Sequence, residues 1–203
     1  AILAIVGLGQ MLVIQQAGID LSVAGAVSLA AVIVTVYPTG DNELLVPALL
    51  MAFGVSLVVG ALNGILIGFL KLNPIIATLG TNSLLYGLVM AISQGIPRQT
   101  TKRLQSIVTA NTFGIPNTVY FALATLLVVI FFLRKTVAGR RFESIGASAA
   151  VASISGLRVR THLALAYVWG QLLYTLAGVL IAGVISSPNG SMGDAYLLPS
   201  VAV

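Results

Sequence analysis

The chain of 203 residues has no cysteine, one histidine, ten basic residues and five acidic ones. Without cysteine it can form no disulfide, no thiolate nucleophile and no Cys-ligated metal centre, although this does not fix its compartment. The single histidine, His162, has no convincing triad partners and stands at the edge of an apolar run. It is read as an interfacial side chain, and no metal site is expected. The sequence also lacks the patterns G-x-x-x-x-G-K-[ST], G-x-G-x-x-G and H-E-x-x-H. It therefore offers no loop to cradle nucleotide phosphates, so ATP hydrolysis by this chain alone is not expected, and no zinc-protease helix.

Charge is the scarcest property of all. Charged residues make up 7% of the chain and hydrophobic residues 58%, whereas a soluble domain carries about 25% charged residues. With a mean hydropathy of +1.06, the chain reads as an integral membrane protein. Crossing about 30 Å of hydrocarbon takes roughly 20 helical residues. Apolar stretches of about that length cover residues 1–16, 21–37, 44–70, 75–93, 117–133 and 163–187. Runs such as Leu123 to Leu133 are continuous rather than alternating, which argues against a membrane β-barrel. The expected fold is an all-α, polytopic transmembrane helical bundle of about six spans. Residues from Pro199 to Val203 would begin another. Both ends fall in apolar sequence, so the 1–203 domain is expected to be a piece of a longer protein, truncated at each end.

The net charge of +5 is an orientation signal. If the spans alternate in direction, Lys71, Arg134, Lys135, Arg140, Arg141, Arg158 and Arg160 share one side, opposite Arg98, Lys102 and Arg103. The positive-inside rule makes the first side cytoplasmic, and no nucleic-acid partner is needed to explain the basic balance. Residues 134–162 then form the longest cytoplasmic loop. Within it Phe142 to Ser155 can make one short helix of mostly small residues, stopped by Gly156. Composition alone leaves two readings for that helix, a docking feature or an interfacial helix anchored by arginines. The outer loop, 94–116, holds glycines and prolines around a basic middle and is expected to be a solvated face.

Gly60, Gly64 and Gly68 recur at four-residue intervals, the spacing that lets membrane helices approach closely, and Asn63 beside them can bond across a helix interface. Asp20 is the least expected residue, because an ionised carboxylate at a bilayer centre costs roughly 2.5–3.5 kcal/mol even on the lenient insertion scale. Gly18 is expected to interrupt the helix, with Asp20 or Ser22 capping the next one. A structural cap is the favoured role for Asp20, with direct substrate contact the alternative. Asn73-Pro74 marks a tight turn, with proline at the position a helix start tolerates best.

Five motifs occur in order along nearly the whole chain: Gly18-Ile19-Asp20-Leu21-Ser22-Val23, Leu62-Asn63-Gly64, Pro74-Ile75-Ile76-Ala77-Thr78-Leu79-Gly80, Gly139-Arg140-Arg141 with Gly146, and Ser155-Gly156-Leu157. Together they resemble the permease subunit of bacterial ATP-binding-cassette importers of the ribose and simple-sugar type. The resemblance implies a multi-pass protein of the bacterial cytoplasmic (inner) membrane, paired with a second permease copy or paralogue. It also implies cytoplasmic ABC ATPase subunits that carry the ATP and Mg, none being bound by this chain, and an extracytoplasmic sugar-binding protein. The loop would carry the coupling helix at Glu143, Ser144, Ile145, Gly146, Ala147, Ser148, Ala149 and Ala150, closing at Ser155 and Gly156. Gln15, Gln16, Asn63, Thr78, Thr81 and Asn82 are the expected substrate-pathway residues. Ala24, and Ala147-Ser148, depart from the family's usual glycine and Gly-Asn. The alternatives are a permease for branched-chain amino acids, a secondary carrier and a non-transporting membrane scaffold.

Overall fold

The computed structural model describes residues 1–202. Its helices are α1 (Ile2–Ile14), α2 (Val23–Val36), α3 (Leu45–Gly64, extended by a π turn Ile65–Phe69), α4 (Pro74–Ser93), α5 (Lys102–Thr109), α6 (Asn117–Lys135), α7 (Val137–Ala147), α8 (Ala149–Ile154), α9 (Val159–Ile185) and α10 (Asp194–Val201). A two-stranded hairpin, β1 (Asn111–Thr112) and β2 (Ile115–Pro116), precedes α6.

Four helices are long and apolar enough to cross a membrane: α3 with its extension (25 residues), α4 (20), α6 (19) and α9 (27). Of the expected six spans and the start of another, the described residues show four as long apolar helices, with α1 and α2 as shorter apolar ones. The first two runs are broken by residues 15–22, which leaves α1 with 13 residues and α2 with 14, while α10 has eight.

Helix α9 forms the centre of the bundle and is packed by α1, α2 and α3. The α3 glycines explain the closest of these approaches. A Cβ on Gly60 would lie 2.6 Å from Val168 Cα, one on Gly64 2.6 Å from the Ala164 carbonyl oxygen, and one on Gly68 2.8 Å from that of Arg160. In lipid, such backbone proximity replaces the hydrophobic drive that assembles soluble cores. Helix α6 lies at the periphery, with only Val129 and Leu133 buried.

Local chemistry explains most boundaries. Asn73 caps α4 by accepting from the Ile75 N–H at 2.9 Å, with Pro74 at its first position. Gly156, at φ 77°, ends α8 while the Leu157 N–H reaches back to the Ala152 carbonyl at 3.0 Å, which satisfies carbonyls the helix end would orphan. The single helix expected from Phe142 to Ser155 is instead two. Helix α7 starts at Val137, capped by Thr136, and the chain extends at Ser148 (φ −162°, ψ 102°), whose hydroxyl caps α8 at the Val151 N–H. Serine competes for backbone donors in this way, which favours helix ends over helix interiors. The outer loop is mostly exposed, as a solvated face is, and part of it is ordered as α5. Leu104 and Val108 of α5 are buried, the latter against Gly183 near the end of α9.

Candidate functional site

The break between α1 and α2 builds a buried polar node inside the bundle. Ala17, not Gly18, takes the left-handed conformation (φ 56°). Gly18 is needed for a different reason, since a Cβ there would collide with the buried Tyr167 hydroxyl. The chain then places Asp20 with no exposure at all. Its Oδ1 accepts from the Ser22 N–H at 2.9 Å and from the Ser22 hydroxyl at 2.5 Å, and its Oδ2 accepts from Gln171 Nε2 at 3.3 Å. Ser22 makes three side-chain bonds, because its Oγ also accepts from Asn63 Nδ2 at 3.1 Å and Gln171 Nε2 at 2.6 Å. Asn63 Oδ1 in turn accepts from the Thr81 hydroxyl at 2.6 Å. One connected cluster therefore joins the α1–α2 break to α3, α4 and α9. Asp20 closes a turn onto Ser22 just before α2, rather than bonding a donor within the helix.

Two further bonds fix α2 beside α4. The Leu21 N–H donates to Thr78 Oγ1 at 2.9 Å, and the Gly25 N–H to Asn82 Oδ1 at 2.8 Å. Both pairs have the same sequence separation, so α2 and α4 run parallel in a fixed register. Asn63, Thr78, Thr81 and Asn82 thus converge around the break and are engaged with protein partners. Sequence reasoning missed Gln10, Gln171 and Tyr174. Tyr174 and Gln10 meet at 2.7 Å, and the Gln10 amide also lies within 3.3 Å of the Asp20 backbone N–H. Both glutamines are isolated amides within apolar runs, the same signal that singled out Asp20, and both are fully or almost fully buried.

Gln15 and Gln16 lie elsewhere, at the end of α1 that meets the long loop. Gln16 Nε2 donates to the Phe142 carbonyl at 2.9 Å across a buried contact. A Cβ on Gly146 would collide with the Gln15 carbonyl oxygen. Phe142 and Ile145 turn inward, whereas Glu143, Ser144, Gly146, Ala147, Ala149 and Ala150 are exposed. Ser148 sits at the α7–α8 junction, and Ser155 and Gly156 lie exposed after α8. Beside α8, a cavity of about 560 Å³ is lined by Lys71, Arg158 and Arg160 together with Ser153, Phe69 and Leu157. This end therefore gathers basic residues that the topology had assigned to one side. Near the other end, the Arg103 N–H donates to Asn42 Oδ1 at 2.9 Å. No group of three or more His, Cys, Asp or Glu residues that could hold a metal ion occurs among the described residues.

The chain is 32% identical over 202 residues to a probable ABC transporter permease of Sinorhizobium fredii, covering 98% of this chain and 60% of that protein. It is 30% identical to the galactose/methyl galactoside import permease of Salmonella typhimurium, covering 98% of this chain and 65% of the relative. The ribose import permease of Bacillus subtilis is also 30% identical, over 100% of this chain and 63% of its own length. The chain thus spans a little under two thirds of these relatives. No solved structure matches it. A family profile described as the permease component of branched-chain amino acid transport systems matches residues 1–203. Since that match runs the full length of the chain, the chain belongs to this permease family.

Proposed function

We propose that the chain is the membrane-spanning part of a permease subunit of an ATP-binding-cassette importer, forming the route for a simple sugar delivered by a solute-binding protein. The observation that carries the reading is the seating of the loop helix α7 on the end of α1, through Gln16 and the Phe142 carbonyl and through Gly146 on the Gln15 backbone. A helix held this way can move the α1–α2 break when it is pushed. The break is bonded to α3, α4 and α9 through Asp20, Ser22, Asn63 and Gln171. A push at the loop therefore reaches every long helix that lines the node. This is the rigid-body switching that alternates access to a central route. In this account α1 and α2 complete six spans across their break, α10 begins another, and residues 134–162 are the coupling loop. The exposed face of Glu143, Ser144, Ala147, Ala149 and Ala150 would receive the ATPase, which brings ATP and Mg.

The family description speaks of branched-chain amino acids, while several relatives are named as sugar permeases. The sugar reading is preferred because the ordered motifs resemble that branch. Uptake by the reconstituted full-length complex tests it, with ATP and Mg supplied on the ATPase side. Accumulation of galactose or ribose with the matching binding protein, and none of leucine, is expected. Leucine uptake alone would replace the substrate class. Uptake driven by a proton or sodium gradient without ATP would replace the mechanism with that of a secondary carrier.

A further inference from the structure

Asp20, Asn63 and Gln171 are turned inward and bonded within the bundle, but one polar pair at similar depth is not enclosed. Tyr86 of α4 donates to the carboxylate of Asp194, the first residue of α10, and Asp194 is exposed. Its depth follows from the helices around it. Tyr86 stands twelve positions after Pro74 and seven before Ser93, or ~18 Å and ~10 Å from the two ends at ~1.5 Å per residue. The register that pairs Leu21 with Thr78 and Gly25 with Asn82 continues to Ser28 at the level of Leu85, one position before Tyr86. At that level Ser28 Oγ accepts from the Gly193 N–H at 3.0 Å. Gly193 lies so close to the Ala24 carbonyl that a Cβ there would overlap it, and a Cβ on Gly190 would lie 2.8 Å from Val89. The chain that leaves α9 at Ile185 therefore turns back into the layer before Asp194.

An aspartate in the first turn of a helix favours that helix at any depth. That does not remove the cost of presenting a carboxylate to hydrocarbon, so an exposed one at this level calls for water or a partner on that face. The neighbouring surface of α4 is mixed, with the apolar side chains of Leu79 and Met90 exposed on the same side as small residues. Ser83, one turn before Tyr86, is exposed, and Gly80 and Gly87 have open space where a side chain would stand. Leu84, about 160° round the helix from Tyr86, presents an ordinary apolar exposed side chain.

We infer that Tyr86 and Asp194, with Ser83 beside them, face the aqueous solute route and bind the hydroxyl groups of a neutral, polyhydroxylated solute. The two carboxylate oxygens accept from adjacent hydroxyls, and the phenol can donate to or accept from a third. The same carboxylate repels the carboxylate of an amino acid, which selects against that substrate class. The inference rests on the permease reading for its solute and on membrane depth for its water.

The absence of cysteine from residues 1–203 allows a direct test in the full-length parent, with any cysteine outside this stretch replaced. Single variants Ser83→Cys, Asp194→Cys and Leu84→Cys are exposed to a charged, membrane-impermeant thiol reagent. Reaction at Ser83→Cys or Asp194→Cys at least tenfold faster than at Leu84→Cys is expected. Equal, slow reaction at all three overturns the aqueous face. In the reconstituted complex, Asp194→Asn and Tyr86→Phe should raise the transport KM for the sugar at least tenfold while ATPase assembly is unchanged. Labelling without any change in KM overturns the solute contact. If the unmodified complex takes up no sugar, the importer reading fails, and the labelling still decides whether this face meets water.

Discussion

At the residue scale, the node around Asp20 is governed by satisfaction rather than by charge alone. A carboxylate with no exposure is tolerated because three donor hydrogens converge on it from Ser22 and Gln171, and Ser22 is itself held by Asn63. Removing a central member should leave buried partners unbonded. Asn63→Leu strips a donor from Ser22 and an acceptor from Thr81. Hydrogen bonds between membrane helices average about 0.6 kcal/mol and reach about 1.7, so a loss of about 1–2 kcal/mol is expected for the two together. Denaturant unfolding in detergent would measure it, and an unchanged midpoint would contradict the network. Gly18→Ala should also destabilise the fold, because the added methyl meets the Tyr167 hydroxyl. Tyr167→Phe should relieve most of that cost, and destabilisation that persists in the double variant would assign Gly18 some other role. Asp20 and Ser22 were legible in the sequence because one acid in an apolar run stands out, whereas the partner Gln171 was not. Gln171 lies 151 positions away, and only the folded bundle brings the two together.

At the element scale, close helix packing divides the glycines of α3 by face. Gly64 leaves no room against Ala164, while Gly54 has open space around it. Gly64→Leu should force α3 from α9 and cost about 3 kcal/mol or more, as severe overpacking does. Gly54→Ala should be neutral or gain up to about 1 kcal/mol from helix propensity. Thermal unfolding of the two variants would check the contrast, and equal effects would contradict the face assignment. The glycine spacing was readable from the sequence because it is local and periodic, as was the Asn73-Pro74 start of α4. The split of α7 from α8 at Ser148 was not, since small residues on either side are compatible with one helix, and what breaks it is a single serine hydroxyl. The same locality accounts for α1 and α2. Gly18 and Asp20 announce a break between the two helices, but not that residues 15–22 build a buried node there with partners from distant helices.

For the whole molecule, the loop helices, the α1 end and the buried node form one connected path from the basic end of the bundle to its interior. If the path transmits a push, weakening it should separate assembly from function. Gln16→Leu removes the bond to the Phe142 carbonyl and should leave the ATPase bound but lower sugar uptake per ATP hydrolysed by several-fold. Simultaneous measurement of uptake and phosphate release would read this, and an unchanged ratio would show that Gln16 is only packing. The central claim is more direct, namely that this chain is driven by a partner ATPase through the exposed face of α7 and α8. The decisive measurement is the ATPase rate of the purified full-length complex, with and without sugar-loaded binding protein, for the natural sequence and for Ala150→Glu on the exposed side of α8. The account predicts a rate that rises with loaded binding protein and a response lost in Ala150→Glu while the permease remains folded. A complex that recruits no ATPase, or one whose stimulation is untouched by Ala150→Glu, would contradict it.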